Sequence, residues 1–208
     1  MDVKERIIEE STDMFFRSGI KAITMDDIAR ELGISKRTIY ELVRDKDALL
    51  RECMAFADRK YDDEYELIVM ESDHAISEVF GLMKMGIYAI KTVNPLMISD
   101  MRKYHHEIYN EVLKVGQEKR IAQIQVNLRK GIQQKLFRNN IDVEVVSILL
   151  NAQLQIVSDD NVFPEKMFSR VVVFENVMIN FFRGIATQKG IELIDSYFEK
   201  ESDFFVTG

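Results

Sequence analysis

The chain has 208 residues, of which 47% are hydrophobic and 30% charged, with a single cysteine. That composition suits a folded protein with a core of its own and excludes a disordered, collagen-like or disulfide-stapled chain. The formal net charge of -7 excludes a protein that coats nucleic acid through overall basicity, although the sum does not constrain a local binding face.

Cys53 alone cannot form an intramolecular disulfide or a multi-cysteine metal centre, and it fits a reducing compartment. Met1 to Glu10 sets charged residues at helical spacing with no apolar run, unlike a signal peptide. No stretch approaches the roughly 18 consecutive apolar residues of a membrane span. A cytoplasmic protein without a membrane partner is expected.

Two prolines and nine glycines interrupt the chain little, and apolar residues recur at three- and four-residue steps, so the expected fold is all-α. Val3, Ile7, Ile8, Met14 and Phe15 trace one face of a first helix that Gly19 ends. Thr24 caps a short helix from Met25 to Leu32, with Asp27 at the capping-box position, and Gly33 stops it. Ser35 caps a third helix through about Leu42. Asp45 caps a long fourth one carrying Leu50, Met54, Ala57, Tyr61 and Ile68 on one face. After a break at Ser72-Asp73, a helix is expected from about Ala75 to Val93, and Pro95 suits the first position of the next. From Lys103 the pattern reads as helical to about Arg138. Asn139-Asn140 form a turn, and Asp142 caps a helix to about Ser158. Pro164 opens a helix to about Thr187, and a short amphipathic one follows from about Ile191 to Glu199.

Function is concentrated between Thr24 and Leu50. Ile28, Leu32, Ile34 and Ile39 are spaced to pack two short helices against the first, Ala29 allows close approach, and Gly33 makes the turn between them: a helix-turn-helix. With Ile39 inward, the second helix presents Arg37, Thr38 and Glu41 outward, with Lys36 and Tyr40 at the margins. Arginine can bond two acceptors on a guanine edge, and lysine and tyrosine can reach phosphate oxygens. A solvated charged face on an ordinary helical hairpin is the alternative, against which the whole constellation weighs.

This stretch resembles the tetracycline-repressor (TetR) family in Thr24, Ala29, Leu32-Gly33-Ile34, Ser35, Thr38-Ile39-Tyr40 and Lys46-Asp47-Ala48-Leu49-Leu50. The resemblance covers about a quarter of the chain, and Val43 departs from it where the family commonly has phenylalanine. It implies that Thr24, Tyr40 and Lys46 contact phosphates and that Lys36, Arg37 and Thr38 sit where base edges are reached. Glu41 and Asp26 lie near the same face, and residues 1–50 carry nine basic against eleven acidic side chains. Non-specific affinity for DNA is therefore expected to be modest and steeply salt-dependent. Glu41 either accepts from a cytosine amino group or simply faces solvent.

Two domains are expected, a helix-turn-helix domain at 1–50 and a helical effector-binding and dimerisation domain at 51–208. Val145 to Val157 and Met167 to Phe182 are apolar on more than one face, so each helix needs two burial partners. One is the domain core; the other, from that pattern, is the same pair of helices on a second subunit. Val146, Leu149, Leu150, Gln153, Val171, Phe174, Met178 and Phe182 are the expected interface. A fully internal helix in a monomer is the alternative, and the resemblance, which implies dimerisation through the last two long helices, weighs against it. Met83, Tyr88, Met101, Tyr104, His105 and Tyr109, together with Phe174, offer the adaptable apolar and amphipathic surface of a small-molecule pocket, and describe ordinary core equally well.

His105 and His106 are about 100 degrees apart on a helix and cannot share a metal undistorted, so neither metal nor cofactor is expected. No glycine-rich phosphate loop or convergent acid, base and nucleophile is visible, and the chain is expected not to be an enzyme. The expected function is a homodimeric repressor on a palindromic DNA operator, released by a small-molecule effector. A ligand-responsive activator, or a helical small-molecule or lipid-binding protein with no DNA role, is the alternative.

Overall fold

The computed structural model describes residues 2–201, 204 and 205. The helices among them are α1 (Val3–Ser18), α2 (Met25–Leu32), α3 (Lys36–Leu42), α4 (Lys46–Glu71), α5 (Ala75–Thr92), α6 (Pro95–Tyr104), α7 (His106–Gln133), α8 (Val143–Ile156), α9 (Arg170–Ile185) and α10 (Gln188–Lys200). The one extended pairing among the described residues is an isolated bridge between Phe137 and Ala186. The all-α expectation holds.

Packing divides the chain into two units, Met1–Glu66 with Thr92–Val115 and Leu67–Lys91 with Gly116–Gly208. The first is organised around Phe15, Ile20, Ile28, Ile39, Leu49 and Leu50, none of which retains exposed surface. Burying each such side chain contributes about 1.5–3 kcal/mol relative to leaving it in water. Met97 and Met101 of α6 and Ile108 of α7 belong to the same core. Asn94 adds polar pins: its backbone N–H donates to Phe16 O (2.7 Å) and its side-chain amide to Arg17 O (3.0 Å). A cut after residue 50 therefore misses part of this unit, because no change of composition marks Thr92–Val115.

The helix expected from Lys103 to about Arg138 is interrupted at both ends. His105 leaves helical geometry (φ -131, ψ 50) and closes α6 by donating to Met101 O, and neither glycine nor proline announces it. At the other end α7 stops at Gln133 and Lys135 takes φ 60. Pro164 opens a turn whose carbonyl accepts from Met167 and Phe168, and α9 starts only at Arg170.

The second unit packs Ile76, Met83, Ile87, Leu128 and Phe137 into its centre. Arg138 N–H donates to Ile185 O (2.9 Å) and Thr187 N–H to Leu136 O (2.9 Å), tying the loop after α7 to the α9–α10 junction. Gly190 is required there by close approach, since a Cβ on it would come 2.2 Å from Leu136 O. Phe80 stacks on Tyr197 (4.7 Å between centroids) and meets Phe198 and Phe205 edge-on. The buried carboxylate of Glu78 pairs with Lys130 Nζ at 3.0 Å.

Candidate nucleic-acid interface

The interface is built by three caps and one turn. Thr24 Oγ1 accepts from Asp27 N–H (3.2 Å) and donates to Asp27 Oδ2 (2.6 Å), and Thr24 N–H donates to the same carboxylate oxygen (2.9 Å). This closes the capping box that the sequence placed at α2. Accepting these bonds holds the Asp27 carboxyl below the usual carboxylate range, first through the Thr24 side chain. Gly33 ends α2 in the left-handed region (φ 65), and its N–H and that of Ile34 reach back to the last turn. A Cβ at Gly33 would meet nothing, so backbone conformation rather than space demands glycine. Ser35 Oγ then accepts from Thr38 N–H at 3.0 Å, starting α3, and Asp45 Oδ1 accepts from Ala48 N–H at 2.8 Å, starting α4.

Within α3 only Ile39 is buried. It anchors the helix and leaves Lys36, Arg37, Tyr40 and Glu41 exposed and Thr38 half-buried; Arg37 and Glu41 face outward as expected, whereas Thr38 is more covered, and Lys36 and Tyr40 more open, than the sequence suggests. The exposed cations have acidic neighbours. Lys36 Nζ lies 2.8 Å from Asp26 Oδ2, which holds its pKa above the ordinary lysine value. Arg37 Nε lies 2.9 Å from Glu41 Oε1, one turn along α3.

Lys46 departs from expectation. Its ammonium donates to Ile20 O (2.6 Å) and Ile23 O (2.5 Å) and lies 5.7 Å from the centre of the Phe15 ring. It is committed to the loop between α1 and α2, not to the face presented by α3, and burial pushes its pKa down. Asp100 Oδ2 accepts from Lys21 N–H (2.7 Å) in the same loop, and Tyr104 Oη accepts from Lys21 Nζ (3.1 Å). Asn94 and Asp100 thus help to set the register of the segment that leads into Thr24. Neither is legible in the sequence, since nothing local signals a partner almost eighty residues away.

The residues suggested for a ligand pocket fall into different units. Met101 and Tyr109 pack in the first unit's core, Tyr104 is exposed beside Lys21, and His105 Nδ1 lies 2.9 Å from Asp47 Oδ1, out of line for a hydrogen bond. Those four belong to the first unit, which includes Thr92–Val115. In the second unit, Met83 is buried, Phe174 packs so closely over Gly86 that a Cβ there would come 2.7 Å from its ring, and Tyr88 is exposed. Met83 also lines an apolar cavity of about 10 Å³ with Phe80, Met178, Phe182, Ile194 and Phe198.

The interface residues named from the sequence also divide. Leu150, Val171, Met178 and Phe182 are buried in the second unit's own core, Val146 and Phe174 are half-buried against it, and Leu149 and Gln153 are exposed. The face of α8 that stays uncovered is Val145, Ile148, Leu149 and Ile156, each with between 38% and 55% of its surface exposed. Beside it, a groove of about 590 Å³ is lined by Gln153, Ile156, Phe168, Val172, Asn176 and Asn180 among others.

Two short capped helices crossing at a glycine turn, one anchored by a single isoleucine and otherwise exposed, define a helix-turn-helix DNA-binding domain. The family model for bacterial regulatory proteins of the tetR family matches residues 7–53. The chain is 24% identical over 186 residues to YvaF, an uncharacterised HTH-type transcriptional regulator of Bacillus subtilis strain 168, covering 89% of this chain and 96% of that protein. The fold is similar to that of a transcriptional regulator from Cytophaga hutchinsonii (TM-score 0.73, 18% identity, 88% of this chain and 98% of that one). It is also similar to the ketosteroid transcriptional regulator KstR2 of Mycobacterium tuberculosis (TM-score 0.58, 20% identity, 90% and 96% of the two chains). Residues 7–53 thus match the tetR-family model, and over most of its length the chain is similar to transcriptional regulators that carry a helix-turn-helix.

Proposed function

We propose that the protein is a cytoplasmic homodimeric repressor whose two α3 helices enter successive major grooves of a palindromic operator, and which a small apolar effector releases. The observation that carries the reading is the outward face of α3, where Arg37 and its neighbours are exposed around a single buried anchor, Ile39. Lys36, Arg37 and Thr38 sit where base edges are reached, and Tyr40 and the exposed Thr24 approach phosphates. Lys46 acts at one remove, by fixing the loop that delivers Thr24.

A second copy of the chain is the natural cover for Val145, Ile148, Leu149 and Ile156, since four apolar side chains on one helix face gain by leaving water together. Pairing α8 and α9 across a two-fold axis supplies the two recognition helices that a palindrome requires. The effector enters the second unit at the apolar cavity lined by Met83 and Met178, whose flexible side chains can repack around a guest. Its binding biases the dimer between two geometries, and α4, which begins at Lys46, carries the change to the DNA-binding unit. Release requires that effector bind the DNA-matched and free geometries with different affinity.

Selection of bound DNA from a random library with the purified protein tests this reading. Enrichment of a palindrome with half-sites about one helical turn apart is expected. Absence of any enrichment at low salt overturns it.

A further inference from the structure

We propose that Asp26 and Glu41 are specificity-determining residues that suppress sequence-independent DNA binding. The inference rests on the reading that α3 enters the groove. In the DNA-free protein Glu41 holds Arg37 Nε at 2.9 Å and Asp26 holds Lys36 Nζ at 2.8 Å. Both acids are well exposed, with 60% and 62% of their side-chain surface accessible, so they remain beside the duplex after the cations move onto it.

Sequence-independent affinity comes almost wholly from phosphate neutralisation. A phosphate that takes Lys36 or Arg37 must displace a carboxylate and then sit next to it. The domain has no surplus of cations to offset that repulsion, since residues 1–50 hold nine basic and eleven acidic side chains. A correct sequence is less affected, because base-edge hydrogen bonds add affinity that does not depend on net charge. Glu41 gains in addition where a cytosine amino group is within reach, and on a wrong base it is left as an unpaired anion in the groove. The two acids therefore lower affinity for random duplex more than affinity for the operator, and widen the ratio between them.

The test compares the parent protein with Asp26→Asn, Glu41→Gln and the double variant, full-length, by fluorescence anisotropy over a range of KCl concentrations. The probes are a duplex of scrambled sequence and the duplex enriched by library selection. The amides are isosteric and can still accept from Lys36 and Arg37, and Glu41→Ala provides a second variant that cannot. Each single variant is expected to bind the scrambled duplex about three- to fivefold more tightly, the effect of removing one charge a few ångströms from a phosphate in water. The enriched duplex gains less, so the specificity ratio falls. Unchanged or weaker binding to the scrambled duplex, or an equal gain on both probes, overturns the proposal. If the parent binds neither duplex at low salt, the groove-insertion reading falls and the proposal with it. A parent that binds while the variants do not move overturns this inference alone.

Discussion

The two units of the molecule are held together in different ways. In the first, a seven-residue helix with one buried side chain must be aimed accurately, and directional contacts do the aiming: Thr24 and Asp27, Ser35 and Thr38, Lys46 to two loop carbonyls, Asp100 to Lys21. In the second, α8 and α9 are apolar on several faces, and an aromatic group of Phe80, Tyr197, Phe198 and Phe205 closes the end of the core. Apolar packing is non-directional and tolerates repacking, which suits the proposed roles of pairing with a second copy and admitting an effector. Aim comes from hydrogen bonds with fixed geometry, and adaptability from methyl and methylene contacts.

The contrast is greatest at two adjacent leucines of α8. Leu150→Ala removes a fully buried side chain and is expected to cost about 2–5 kcal/mol of stability, seen as a lowered midpoint in urea unfolding. Leu149→Asp, one residue earlier and half exposed, is expected to leave that midpoint within about 0.5 kcal/mol for the isolated chain. It is expected instead to shift sedimentation from dimer to monomer and to abolish tight operator binding. Equal melting effects of the two changes would mean that the exposed face is not an interface.

In the DNA-binding unit, Lys46→Gln is expected to cost about 1.5–3 kcal/mol, the scale for hydrogen bonds from a charged group, measured by thermal unfolding without DNA. The salt dependence of DNA binding is expected to keep its slope, whereas a lysine that contacts a phosphate would reduce the slope by about 0.9.

Cys53 offers a probe of the same core. Burial pushes its thiol up to about 12, so the folded state keeps a proton that the unfolded chain gives up above about 9. Stability contributed this way is complete below pH 9 and is lost as pH rises toward 12. Denaturation midpoints are expected to fall over that window in the parent and to fall less in Cys53→Ser. At neutral pH the thiol is expected to resist a disulfide reagent until the protein unfolds. The smallest expected effect belongs to Thr24→Ala, about 1 kcal/mol for a lost N-cap, again read by thermal unfolding.

What sequence reveals follows the same division. The helix-turn-helix was readable residue by residue because caps and glycine turns are local: Thr24, Asp27, Gly33 and Ser35 signal the geometry they adopt. Lys46 was assigned by its position in a motif, but the groups it bonds lie in a loop more than twenty residues earlier, and no local pattern discloses them. The α6 segment was placed with the effector domain because methionines and tyrosines look alike in a core and in a pocket. Only contact with α1 decides between them. In α8 and α9 apolar residues occur on every side, so periodicity identified helices with two burial partners and could not say that Leu150 faces inward while Leu149 faces out. His105 ends α6 without any breaker residue, a tertiary decision that propensity does not carry.

Whether the exposed face of α3 reads DNA is decided by Arg37→Ala. With the melting temperature of the free protein unchanged, affinity for the enriched duplex is expected to fall by about 1–3 kcal/mol, and a repeated library selection is expected to lose preference at one base pair of each half-site. Unchanged affinity together with an unchanged selected sequence would mean that α3 does not read the bases.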